Sequence, residues 1–402
     1  MCASQLTPGL DTSLDNCDHN QRPLIKIDHG IACNDDYLYI YGESIIEDLH
    51  QMSYMNNKFA GTLWKYDLVA CRWVKLKCNL PHQLKYSSII LSGNLIIIHG
   101  GIGARFSNES NYKTFIGNVL KENDPNGIKF DEINCSSTLL KSGYGQPIIM
   151  KDQFIYSVTG MSNFKNEMDV YRLDLETKKW EILSKAYGKY LNTKQKFKHD
   201  VAYYNECLFM FGGTFHDARH DIFLNTFQII HIFDLKINKW KYIPTISDRK
   251  TSLYPSNRIH HGWIQCRNQH KHVYVIGGYD KHNFFQDLWC FNLSTLEWSS
   301  LNLCRLPSSI FFLSSAITPS GKLYYCNGMV YNRDSRVLEQ NNSLVSAWVI
   351  IPKLKIMSWN AILYFFKKQL FQLTNEDLAS LGLLPEYCNR IAKAKLLLKI
   401  NV

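Results

Sequence analysis

The 402-residue sequence has no run of about 18 consecutive apolar residues, which excludes an ordinary membrane-spanning helix. Its first residues, MCASQLTPGLDTSLD, lack both a basic start and an apolar core, so no secretory signal is visible. Twelve cysteines are present, yet no CxxC pair occurs among them. That scatter speaks against a structural zinc module and against a disulfide-stapled secreted domain. Free thiols in a reducing compartment follow, which means the cytoplasm or the nucleus. No basic run of five occurs either, so the net charge of +10 does not describe a nucleic-acid tail.

What is present is a soluble-globular balance: 46% apolar, 20% charged and 13% aromatic residues. Disorder and fibre are poor readings of such a chain. Many aromatics over a large core suit β-structure, because flat rings pack well on pleated sheets.

A unit recurs six times, each opening on an apolar strand that ends at glycine. The six are Leu38–Gly42, Leu95–Gly101, Ile155–Gly160, Leu208–Gly213, Val273–Gly278 and Leu323–Gly328. A variable loop follows, then usually a strand, a turn opened by Asp or Asn, and a tryptophan. Trp73, Trp180, Trp240 and Trp298 hold the last place, and Phe130 replaces tryptophan in the second unit. Glycine lets the backbone leave the strand through φ values that a Cβ forbids. The Asp/Asn side chain caps the turn. The large ring seals the wedge between neighbouring sheets. One four-stranded sheet cannot bury both faces, but six arranged radially can. The expected fold is therefore an all-β six-bladed β-propeller over 22–352. Arg22–Ile27 is expected to complete the last blade, and residues 1–21 to be disordered.

From Lys353 the apolar period changes from 2 to 3.6. Leu354, Met357, Ser358, Ala361, Ile362 and Phe365 share one helix face. Thr374–Asp377 has the form of a capping box for a second helix. Gly382 ends that helix, and Pro385 suits the first turn of a third. Residues 353–402 thus form a small C-terminal three-helix box, either a mere cap on the propeller or an adaptor.

These residues resemble the kelch repeat, whose GG doublet and later aromatic residue stand in this order. Leu354, Ser358 and Ile362 fit L-x-x-x-(C/S/A)-x-x-x-Φ, which resembles the elongin C-binding box of ubiquitin-ligase receptors. Pro255–Gly262, Phe311–Tyr325, Ala347–Leu354 and Leu378–Ile391 are similar to stretches of kelch-repeat substrate receptors of Cullin-2 ligases. The resemblance spans roughly residues 22 to 395. It implies a non-catalytic receptor that binds C-terminal tails ending in glycine or alanine and engages elongin C, with elongin B, through Leu354, Met357, Ser358 and Ile362. Where the family's cullin-binding pattern has proline, this chain has Thr374.

A cation-x-x-His/Tyr pattern recurs where the innermost strands should begin: Lys26/His29, Lys141/Tyr144, Lys196/His199 and Arg258/His261. Cations converging on a concave rim would attract a chain-terminal carboxylate, best held by a bidentate arginine. Inter-blade structural contacts are the alternative reading of the same pattern. By resemblance, Arg219 in Asp-Ala-Arg matches an arginine that holds the tail. Arg219, Arg258, Lys196 and Lys141 are the candidate carboxylate ligands, and Tyr144, Phe215, Phe312 and His261 the candidate walls. His260, His261, His270, His272 and His282 cluster near Cys266, but their spacing fits no zinc module, and neither metal nor cofactor is expected. Two other classes stay open: a kelch scaffold for a folded partner such as actin, and a propeller enzyme. No Asp-box or copper set is present to support the latter.

Overall fold

The computed structural model describes residues 23, 29–44, 60–80, 87–101, 113–133, 146–158, 161–162, 165–166, 169–185, 197–214, 227–266, 271–280, 282–301, 306–326, 328–332, 337–341 and 343–400. Five antiparallel four-stranded sheets follow one another along the chain, and a sixth has three described strands. Blade one is Gly30–Cys33, Tyr37–Ser44, Ala60–Asp67 and Arg72–Leu76. Blade five is Gly262–Gln265, His272–Ile276, Leu288–Asn292 and Glu297–Ser300. Blade six is Ser314–Ile317, Lys322–Cys326 and Leu344–Trp348, and the strand expected at Arg22–Ile27 lies outside the described residues apart from Pro23.

The first strands neighbour one another in a ring, and the sixth returns to the first. The core divides accordingly into six inter-blade clusters. Strand alternation explains why each blade serves two of them. In blade one, Leu38 and Ile40 point towards Ala316, Tyr324 and Leu344 of blade six. Tyr39 and Tyr41, between and beyond them, point towards Ile96, Ile98 and Phe130 of blade two. Trp73 closes the one-to-six junction, Trp180 the two-to-three junction, and Trp298 the four-to-five junction. Phe130 takes the tryptophan's place in the one-to-two junction.

The turns before these aromatics follow the expected chemistry. Asp67 Oδ1 accepts from the backbone amides of Val69 (2.9 Å) and Ala70 (2.7 Å), and Asn292 Oδ1 accepts from Ser294 at 2.9 Å. Each turn then closes on a left-handed residue, at Cys71, Lys178, Asn238 and Leu296. At the blade-five doublet, Gly277 has φ +58°, and a Cβ there would stand 2.4 Å from the Ile310 carbonyl.

Three helices follow: α1 (Leu354–Leu370), α2 (Asn375–Ser380) and α3 (Pro385–Ile400). Thr374 and Asp377 form the reciprocal capping box of α2. Gly382 leaves α2 at φ +80°. Trp359, Leu370, Leu378, Tyr387, Cys388, Ile391 and Ala394 make a common core that seats on Val69 and Ala70. Arg390 adds an ion pair to Asp36 at 2.5 Å. Among the described residues no helix is long and apolar enough to cross a membrane.

Candidate functional site

In a four-stranded meander the first and third turns share one end and the second loop lies at the other. Asp36 and Val69 belong to the first and third turns of blade one, so the helical box sits on the turn face. The variable loops after the glycines open on the opposite face. A central channel of about 320 Å³ is lined by the first strands of all six blades.

Strand register fixes which residues are equivalent around the channel. Opposite the residue that precedes the glycines stand Gly30, Ser88, Asp200, Gly262 and Ser314. Ile148 faces Ser157, so Pro147 holds that place in blade three. One residue earlier come His29, Ser87, Gln146, His199, His261 and Leu313. The equivalents of His261 in blades two and three are thus Ser87 and Gln146. By residue count Tyr144 and Lys141 lie two places out of step with the ring, which corrects the repeat as read from spacing alone.

Arg258 is also corrected. Its side chain is 0% exposed, and its guanidinium grips Asp287 through two bonds, Nη2 to Oδ2 being 2.8 Å and Nη1 to Oδ1 the other. Nη1 also donates to Gly277 O (3.1 Å), Nε donates to Ser256 O (3.0 Å), and the group lies over the Phe285 ring at 4.0 Å. Burial opposes ionisation of Asp287, yet Arg258 and the Trp289 indole hold its carboxyl below the usual range. Arg258 therefore holds the blade-five loop against its sheet and offers no bidentate fork to a ligand.

Phe312 directly precedes Leu313, which lines the channel as His261 does. His261 lines the channel with both ring nitrogens sealed from solvent and without a hydrogen-bond partner among the described residues. Burial, then the nearby Arg258 charge, drives its pKa down to about 3, so the ring is neutral. Phe312 adopts φ +56° and His260 φ +52°, at equivalent places in adjacent blades. Their rings meet at 3.6 Å, and Tyr279 lies parallel to His260 at 5.6 Å. Phe311, Phe284 and Tyr331 extend this aromatic wall. Left-handed non-glycine residues at a pocket rim are a form of stored strain that recurs at ligand sites. Arg219, Lys196, Lys141, Tyr144 and Phe215 lie outside the described residues.

On the opposite face, α1 turns Trp359 and Leu370 inward. Leu354 is 77% exposed and Met357 36%, with Ser358 and Ala361 exposed beside them. Ile362, placed on the same face by its spacing, packs partly against the box core. The protruding leucine is therefore free at the helix start, and a small residue lies one turn further on.

Spacing alone missed Asp200, the one carboxylate among the described channel residues. Counting back from the strand opposite Phe211-Gly212 would have found it.

A radial set of antiparallel sheets around a central channel defines a β-propeller. A sequence model of the Attractin/LZTR1 β-propeller matches residues 155–362, and the chain belongs to that family of kelch-type propellers. Among individual proteins it is similar to kelch domain-containing protein 10. The Xenopus laevis protein is 26% identical over 82% of this chain and 76% of its own length. The human protein is 25% identical over 80% of this chain and 69% of its own length. The Drosophila melanogaster homologue is 26% identical over 85% of this chain, and 58% of that protein is covered.

Proposed function

We propose that the chain is the substrate-recognition subunit of a Cullin-RING ubiquitin ligase. The loop face of the propeller binds C-terminal tails of proteins ending in glycine or alanine, and α1 binds elongin C together with elongin B. The chain itself is non-catalytic in this reading, because ubiquitin transfer belongs to partner enzymes. The cytoplasm or nucleus is the corresponding compartment.

The observation that carries the reading is the solvent-facing Leu354, Met357, Ser358 and Ala361 stripe on a helix whose other side is anchored to the propeller. An apolar stripe with one large anchor and small neighbours suits a partner that swallows the anchor. The stripe also lies on the face opposite the variable loops, so both partners bind at once. Arg219 and Lys196 remain the proposed ligands of the tail carboxylate, with Lys141 secondary and Arg258 set aside. Phe312 and His261, with Tyr144 and Phe215, wall the tail's last residues. The scaffold is assigned to the Cullin-2 type by resemblance. At Thr374 the familiar proline would forfeit an N–H that donates to Asp377 at 2.8 Å.

Affinity capture of the elongin B–elongin C pair with wild type and Leu354→Asp tests this reading. Recovery by wild type and loss in the variant are expected. Equal recovery by both removes the site, and absence from both points to a kelch scaffold without a ligase role.

A further inference from the structure

The channel's chemistry is one-sided. Among the described residues lining it, Asp200 is the one carboxylate, and no lysine or arginine is present. Among the described side chains lining it, the histidines are His29 and His261, and burial keeps both neutral, at about 3. Cys33 is the remaining ionisable group. The same layer as Asp200 holds Gly30, Pro147, Gly262 and two serines, and a Cβ at either glycine would meet the neighbouring strands, at Ile89 for Gly30 and at Ser315 for Gly262. Those hydroxyls have already committed their protons: Ser88 donates to Gln146 O at 2.6 Å, and Ser314 donates to His29 O. A hydroxyl whose proton is committed presents only lone pairs. The side-chain acceptors of the layer are thus one carboxylate and two serine oxygens, and His261, one residue earlier along its strand, has ring nitrogens without a described partner.

We propose that the propeller channel binds a primary ammonium group, carried by a lysine side chain of a bound tail or by a small free amine, with Asp200 as counter-charge. An ammonium has three donors and no acceptor. It matches one carboxylate and two serine oxygens, and a slender alkyl chain fits a passage of about 320 Å³. Without such a ligand, burial pushes the Asp200 carboxyl up to about 7. The site begins one to two residues below the loop-face mouth, some 3–7 Å along a strand. A side chain from a tail seated at the mouth spans that depth. The lysine source rests on the tail-binding reading; the amine site does not.

Calorimetry on the full chain decides this. The probes are n-butylammonium, butyltrimethylammonium (equal charge, no N–H donors) and two glycine-ended peptides that differ by lysine or methionine at the third position from the end. We expect n-butylammonium to bind one to one, the trimethyl analogue not to bind, and Asp200→Asn to lose about tenfold or more, the worth of one charge-assisted hydrogen bond. Equal binding of both amines, equal binding to wild type and to a folded Asp200→Asn, or no binding of n-butylammonium overturns the site. The comparison of the two amines on wild type stands even if the variant does not fold. A lysine preference among the peptides that vanishes in the variant identifies a substrate side chain as the source. Amine binding without such a preference identifies a free amine. If neither peptide binds while n-butylammonium does, the tail reading fails and the amine site stands.

Discussion

Arg258 and Asp287 are joined by two parallel hydrogen bonds, with the arginine wholly buried under the blade-five loop. The arrangement uses the bidentate fork that a tail carboxylate would need, but an internal carboxylate has taken it. Arg258→Ala leaves Asp287 without its partner in a site that disfavours charge. We expect a loss of about 3 kcal/mol, at the low end for a broken buried pair because Asp287 is partly exposed. Asp287→Asn added to it recovers part of that loss. A double-mutant cycle in denaturant measures the coupling, and additive losses would contradict it.

The junction tryptophans are not equal. Trp298 is fully buried between blades four and five, and its indole donates to Phe227 O at 3.0 Å. Trp240 is only partly buried at its junction, and its indole nitrogen has no described partner. Trp298→Ala should cost about 3–5 kcal/mol, and Trp240→Ala clearly less. Thermal unfolding of the two variants side by side checks the order.

The channel groups give stability an opposed pH dependence. His29 and His261 are held at about 3 when folded and return to about 6.5 when unfolded. Between those values the unfolded chain binds more protons, so stability falls as pH drops from about 6.5. Asp200 acts in the opposite sense: with a folded value of about 7, it favours the folded state below about 4 and loses that advantage as pH rises through 7. Asp200→Asn should therefore be more stable than wild type at pH 8, with the gain shrinking to nothing near pH 4. Denaturant midpoints at the two pH values measure it, and a gain independent of pH would contradict the assignment.

Gly277→Ala should also destabilise. The position has φ +58°, and the added carbon meets the Ile310 carbonyl at 2.4 Å. A lowered melting temperature with the channel-mouth loops most affected is expected, read by hydrogen exchange around Ile310 and Phe312.

The blade count, the junction aromatics, the Asp/Asn turn caps and the three helices were legible in the sequence because each follows from a short-range rule. Alternation at period 2, an Asp two or three residues before an amide, and a Thr-x-x-Asp box need only local chain geometry. The channel was less legible because it depends on register across strands. Tyr144 looked equivalent to His261 by spacing, yet pairing with the pre-glycine residue gives that place to Gln146. The role of Arg258 is hidden in the sequence for a related reason. A cation at a rim and a cation buried against an aspartate 29 residues later look alike until the loop folds back. Period 3.6 puts Leu354 and Ile362 on one stripe of α1, and packing divides it, with Ile362 turned towards the box core and Leu354 left to solvent.

The central claim is that the loop face receives a chain-terminal carboxylate. It is tested most directly by the binding of glycine- and alanine-ended peptides, each with a free or an amidated C-terminus, to the full chain. The account predicts measurable affinity for at least one free-acid peptide and a loss of about tenfold or more on amidation, as expected for a lost charge-assisted contact. Equal affinity for the free and amidated forms would contradict it.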